Sequence, residues 1–304
     1  MSKTVSLLSG LLCTFIWGTT FIAQDTGMDH IGPFTFNAVR FFVGFLALIP
    51  FAFYFEKNKI KTSLKKSNKK NFIHLAILIG LSLFFGTALQ QVALLYTDVA
   101  NAAFFTIFYV PMVPIIFFAM YKKSIHWSIW PSVFLCVMGG YLLTDFNNAT
   151  VRLGDTLVIV GAFFWSTHII FTGKIIKEYN FPLTIGAIQT IIVAILSLTV
   201  SLIFEEFILL NILKEKFQIL YAGILSGGLA FVLQIYAQKN ISPAPAAIIF
   251  SLEGVFATIA AWFLLNQILD INNLIGCLFI LIAVIFSQLL PIYDKKFRYK
   301  NKAL

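Results

Sequence analysis

The 304-residue chain is 59% hydrophobic and only 12% charged, with a mean hydropathy of +0.89. Soluble domains run near half apolar and about a quarter charged, so a water-soluble globule is excluded. The formal net charge is +9, but the basic residues cluster between apolar runs and are not spread over an aromatic-interleaved surface, so no nucleic-acid partner is expected.

The partner this composition demands is a lipid bilayer. A hydrocarbon core of about 30 Å takes roughly 20 apolar residues per helix, which leaves room for about ten spans and little else. In chain order the apolar windows are 4–23, 33–55, 72–95, 100–121, 127–144, 154–174, 182–204, 216–237, 243–265 and 271–291. The first, after Lys3, is long for a signal peptide and lacks a small-residue cleavage site, so it reads as an uncleaved span. None shows the alternation of a barrel strand. Backbone polar groups cannot go unpaired in lipid, so the expected fold is an all-α integral membrane protein.

Lys and Arg set the orientation. Lys57, Lys59, Lys61, Lys65, Lys66, Lys69 and Lys70 lie between windows two and three, Lys122 and Lys123 between four and five, Lys174 and Lys177 between six and seven, and Lys239 between eight and nine. With Lys3 and the tail residues Lys295, Lys296, Arg298, Lys300 and Lys302 they make 18 on one side, against Arg152, Lys214 and Lys216 on the other. By the positive-inside rule both termini are expected in the cytoplasm, as an even number of spans requires.

The two halves resemble each other in order. Phe15-Ile16-Trp17-Gly18-Thr19 pairs with Phe163-Phe164-Trp165-Ser166-Thr167, and Phe36-Asn37-Ala38-Val39-Arg40 with Ile185-Gly186-Ala187-Ile188-Gln189. Gln91 pairs with Gln234, and Ala102-Ala103 with Ala246-Ala247. Five spans per half make the second half enter from the opposite face, so the repeats are inverted. That is a transporter architecture with its site near the midplane.

At these residues the chain resembles the drug/metabolite transporter superfamily, and within it the EamA family of ten-helix permeases. The resemblance rests on the Trp17 segment, Arg40-Phe41, Pro111, Gly154-Asp155, Trp165, and the run from Ala246-Ala247 through Ser251-Leu252-Glu253 to Ala261-Trp262-Phe263-Leu264-Leu265. The chain departs from the family pattern at Gly254, where Pro is frequent, at Asn266-Gln267 in place of Gly-Glu, and at Lys122-Lys123-Ser124, which lacks an acid. The resemblance implies two EamA repeats, 5–143 and 154–290, followed by a basic cytoplasmic tail at 291–304. It also implies a plasma-membrane carrier, with efflux of amino acids or related metabolites as the default.

Candidate cavity residues follow from polarity at depth. Arg40 lies roughly 10 Å below one face and Glu253 roughly 15 Å from the other, at 1.5 Å per residue. Buried charges of this kind face the bundle interior and pair with each other or with cargo; a purely structural ion pair is the competing reading. Gln91 and Gln234 place amides inside apolar helices, where interhelical hydrogen bonding competes with ligand contact. Trp17 and Trp165 lie too deep for an interfacial belt and read as cavity lining. His168, one turn after Trp165, is either a packed histidine or a site residue. Tyr109, the repeat counterpart of Glu253, precedes Pro111 and Pro114, where freed carbonyls suit a cavity or hinge.

Cys13, Cys136 and Cys277 lie in apolar runs without metal-ligand spacing and read as packing residues. No phosphate-cradling loop, His-Glu-x-x-His pair or Gly-x-Ser-x-Gly elbow occurs, so neither catalysis nor a metal or cofactor is expected. An intramembrane enzyme and a non-transporting scaffold are the alternatives. The absent nucleophile and metal sets disfavour the first, and Arg40 and Glu253 the second. The expected ligand is a small-molecule metabolite.

Overall fold

The computed structural model describes residues 2–66, 68–143, 152–265 and 269–294. The expected tail beyond Asp294 and the Asn266-Gln267 departure lie outside them. Among the described residues nine helical segments are long and apolar enough to cross a bilayer, and a shorter apolar helix of 14 residues, Ile129–Leu142, makes the tenth. The chain is therefore an all-α multi-pass membrane protein of two inverted five-helix repeats.

The first repeat contains α1 (Lys3–Thr26), α2 (Pro33–Lys66), α3 (Lys69–Ala93), a fourth span divided into α4 (Val99–Thr106) and α5 (Tyr109–Tyr121), and α6 (Ile129–Leu142). The second contains α7 (Leu153–Tyr179), α8 (Pro182–Phe204), the short α9 (Leu209–Lys214), an eighth span, a ninth span divided into α12 (Pro243–Phe250) and α13 (Leu252–Leu265), and α14 (Ile271–Tyr293). The eighth span runs from α10 (Lys216–Leu220) through a wide-turned π segment (Tyr221–Ala230) into α11 (Phe231–Gln238).

One boundary is corrected. The second window was expected to end at 55, yet α2 continues to Lys66 through the Lys-rich stretch taken for a loop. That stretch contains no Gly or Pro after Pro50, and straight-chain lysines lose little freedom in a helix.

The breaks in spans four and nine fall at matching places. Pro111 has no N–H to return to the carbonyl of Ile107, and the chain tightens there, with Val110 N–H bonding to Ile107 O at 2.8 Å. In span nine no proline stands at the break, since Pro243 and Pro245 lie in the first turn of α12. Ser251 instead turns its hydroxyl onto the Ile248 carbonyl at 2.7 Å, and Gly254 N–H bonds to Ser251 O at 3.1 Å. Hydroxyls that bond back to the preceding turn bend helices.

Small residues allow the closest backbone approaches. A Cβ on Gly18 would stand 2.6 Å from the Glu253 carbonyl, and one on Gly139 would stand 2.7 Å from that of Gly276. Only glycine lets α1 lie against the first turn of α13, and α6 against α14. Membrane helices associate in this way, because lipid gives apolar side chains no incentive to cluster.

Candidate functional site

Where α1, α2, α3, α5, α7, α11 and the two halves of span nine converge, a cavity of about 40 Å³ lies near mid-depth. Trp17, Arg40, Tyr109, Trp165, Gln234 and Glu253 all border it. Its volume suits a few waters and not a metabolite.

Arg40 is 3% exposed. Its Nε donates to Asn37 Oδ1 at 2.8 Å, and Asn37 is in turn fixed by donating to the Thr87 carbonyl at 3.3 Å. The guanidinium carbon lies 4.8 Å from the Phe41 ring centre and 5.4 Å from that of Phe36. These aromatic faces and Asn37 satisfy one edge of the fork. Among the described residues its two terminal amino groups have no hydrogen-bond partner, and no carboxylate lies within 4.0 Å of them. A guanidinium held by one edge leaves the other free for bidentate recognition of a carboxylate or phosphate.

Glu253 stands in the first turn of α13, where the helix dipole favours negative charge. Its Oε1 accepts the Tyr109 hydroxyl at 3.1 Å. The direct Arg40–Glu253 pair offered by the sequence does not form: the two charges border one cavity, each held by neighbours of its own. Depth alone gave no azimuth, and so could not exclude the pair.

Two further candidates sit behind the wall. Gln91 donates to the Gln24 carbonyl at 2.8 Å and to Met28 Sδ at 3.1 Å, tying α3 to the end of α1. Its neighbour Gln90 borders the cavity instead. His168 is fully buried, with Nε2 3.0 Å from Gln189 Oε1 and Nδ1 3.5 Å from Gln234 Nε2. The pattern fits a neutral ring protonated on Nε2, which links α7, α8 and α11.

The remaining wall is aromatic. Trp17 meets Phe231 at 5.2 Å and Phe250 at 5.7 Å between ring centres, both edge-on, and Trp165 lies 6.3 Å from Trp17. Two polar atoms in this wall have no partner among the described residues, the indole N–H of Trp165 and Gln234 Oε1. Buried polar groups seldom go unsatisfied, and a donor and an acceptor left open at one cavity mark places where cargo or water bonds. Phe231 and Phe250 were not singled out in the sequence. Phe occurs 34 times, and adjacent glutamines give no means of choosing between them.

A second, larger cavity of about 510 Å³ opens on the face opposite the Lys-rich one, bordered by Asp25, Asp98, Ala103, Gly254, Ala257 and Asn273 among others. Phe21, with Ala103 and Ala257 packed on it, separates the two spaces.

An inverted-repeat bundle with a polar site at mid-depth defines a membrane carrier class. The profile of the EamA-like transporter family matches residues 4–144 and 152–289, and the chain belongs to that family. An uncharacterised transporter of Archaeoglobus fulgidus is 30% identical over 278 residues, covering 91% of this chain and 84% of its own. An S-adenosylmethionine uptake transporter of Rickettsia bellii is 29% identical over 284 residues, 90% of each chain. One solved crystal structure superposes with a TM-score of 0.78 at 16% identity, covering 95% of this chain and 98% of that one, a likeness of fold. Membrane transport is thus the activity class.

Proposed function

We propose that this chain is a secondary carrier for small metabolites that bear a carboxylate or phosphate together with an amino group, working by alternating access. The observation that carries this reading is the half-used guanidinium of Arg40 facing the same cavity as Glu253. Arg40 receives the anionic group, and Glu253, relieved of Tyr109, receives the ammonium or a coupling proton. The aromatic wall covers the apolar remainder.

Amino acids have this chemistry. S-adenosylmethionine, the cargo in the name of the Rickettsia relative, carries an amino-acid group at one end and also fits the description. The family resemblance favours efflux, whereas that relative is named for uptake. Without a coupled ion a carrier runs down whichever cargo gradient it meets, whereas a proton taken up by Glu253 would let the proton gradient set the direction. Near-symmetric halves offer two packings of similar energy, and differential affinity of cargo for one of them shifts the population. The setting we propose is the plasma membrane, with both termini in the cytoplasm.

Purified protein in liposomes, assayed for exchange of a radiolabelled amino-acid panel and S-adenosylmethionine, tests the proposal. Saturable exchange that Arg40→Ala abolishes supports it. Uptake that never saturates contradicts it.

A further inference from the structure

The matched halves share a second set of residues that the cavity does not use. Pro33-Phe34-Thr35 opens α2 and Pro182-Leu183-Thr184 opens α8, while Glu56 lies on α2 and Glu205 just after α8. Pro33 and Pro182, Thr35 and Thr184, and Glu56 and Glu205 are each 149 positions apart.

Each glutamate caps the other helix. Glu205 Oε1 accepts Phe34 N–H at 2.9 Å, and its Oε2 accepts both the N–H and the hydroxyl of Thr35 at 2.7 Å. At the opposite membrane face Glu56 Oε1 accepts Leu183 N–H at 3.1 Å, and its Oε2 accepts the N–H and hydroxyl of Thr184 at 2.8 Å. First-turn amides have no partner within their own helix, and the positive end of the dipole favours a carboxylate there. Because the helices are antiparallel, α2 and α8 are fastened at both ends. Ser201 adds a hydroxyl contact to Thr35 at 2.7 Å, where the other clasp has Ala52.

The clasps bear on the cavity. Arg40 follows Thr35 by five residues, and its counterpart Gln189 follows Thr184 by five. Tyr109 and Glu253, in contrast, stand at the breaks of spans four and nine. The large cavity on the face opposite the Lys-rich one is bordered by residues of spans one, three, four, five, nine and ten, and by none of α2 or α8.

We propose that α2 and α8 form one strut that stays clasped at both membrane faces throughout transport, so that Arg40 is the stationary side of the cavity and the Tyr109–Glu253 side is the one that moves. This rests on the alternating-access reading above. Gates on other spans then open and close, and the anionic end of the cargo keeps one partner while the other end changes surroundings.

The test cross-links one clasp. With Cys13, Cys136 and Cys277 replaced by alanine, Thr35→Cys and Ser201→Cys set two thiols where hydroxyls now touch, and copper-phenanthroline joins them. Exchange of the labelled amino acids and S-adenosylmethionine is then measured in liposomes before oxidation, after it, and after reduction. The strut predicts that the cross-linked protein keeps at least about half of its reduced rate, whereas a reversible loss of about ten-fold or more, equivalent to about 1.4 kcal/mol on the barrier, overturns it. If the reduced protein moves none of these probes, the transport reading fails, and hydrogen–deuterium exchange of the unmodified chain in nanodiscs decides the strut. Both first-turn segments, 34–35 and 183–184, should be protected together, with Glu205→Gln exposing only the first and Glu56→Gln only the second. Loop-like exchange at either segment of the unmodified protein overturns it.

Discussion

The Tyr109 hydroxyl donates to Glu253 Oε1 across 3.1 Å, joining residues that occupy matching positions of the two inverted repeats. Duplicated halves begin alike, and here one has kept a phenol where the other has a carboxylate. The pseudo-two-fold axis brings the two together at the breaks of spans four and nine. Under the proposed function the bond holds Glu253 until cargo or a proton takes Tyr109's place.

Tyr109→Phe removes the hydrogen bond that cargo must displace from Glu253, worth about 0.5–1.5 kcal/mol. It should therefore lower the apparent KM by roughly two- to ten-fold, and with Glu253→Gln already in place the added effect should be smaller. Strictly additive effects measured in the same liposome assay would show that the bond has no part in transport.

Arg40→Lys keeps the charge but not the planar fork and should raise the apparent KM by about ten-fold, or about 1.4 kcal/mol. Arg40→Leu should abolish transport while leaving the thermal midpoint unchanged or higher, because among the described residues the guanidinium has no ion-pair partner within 4.0 Å. A collapse in stability would instead assign Arg40 a structural role.

Gly18→Ala places a methyl 2.6 Å from the Glu253 carbonyl, a backbone atom that cannot rotate away. The expected cost is about 1–3 kcal/mol from overpacking, read as a lower thermal midpoint in detergent. Gly161→Ala, whose added carbon would meet nothing nearer than 3.5 Å, should leave it unchanged.

Reporter fusions after Asn68 and after Leu304 should both report the cytoplasm, and one after Asn148 the other side, given the 18-to-3 partition of basic residues. An external carboxyl terminus would invert the assigned orientation.

Much of the fold was legible because bilayer thickness converts hydropathy directly into spans. The window at 182–204 has the bounds of α8 itself. The end of α2 was not legible, because a run of lysines signals the membrane surface but not whether the chain stays helical beyond it. At the site, depth could be counted along each helix, which brought Arg40 and Glu253 to within about 5 Å of one level, and the repeat added Tyr109 as the counterpart of Glu253. Which way a side chain faces depends on packing between helices. That is why Gln90 and not Gln91 borders the cavity, and why His168 is spent on Gln189 and Gln234 behind its wall.

In the proposed cycle one cavity, bounded by Arg40 and Glu253, binds cargo and is exposed to one face at a time. Single cysteines at Ala257, on the cavity opposite the Lys-rich face, and at Tyr236, near the Lys-rich end of span eight, can be followed together by thiol labelling in membranes while cargo is added. Labelling should rise at one position as it falls at the other, and Arg40→Ala should remove the response. A simultaneous rise at both positions would contradict it, because the protein would then behave as a channel.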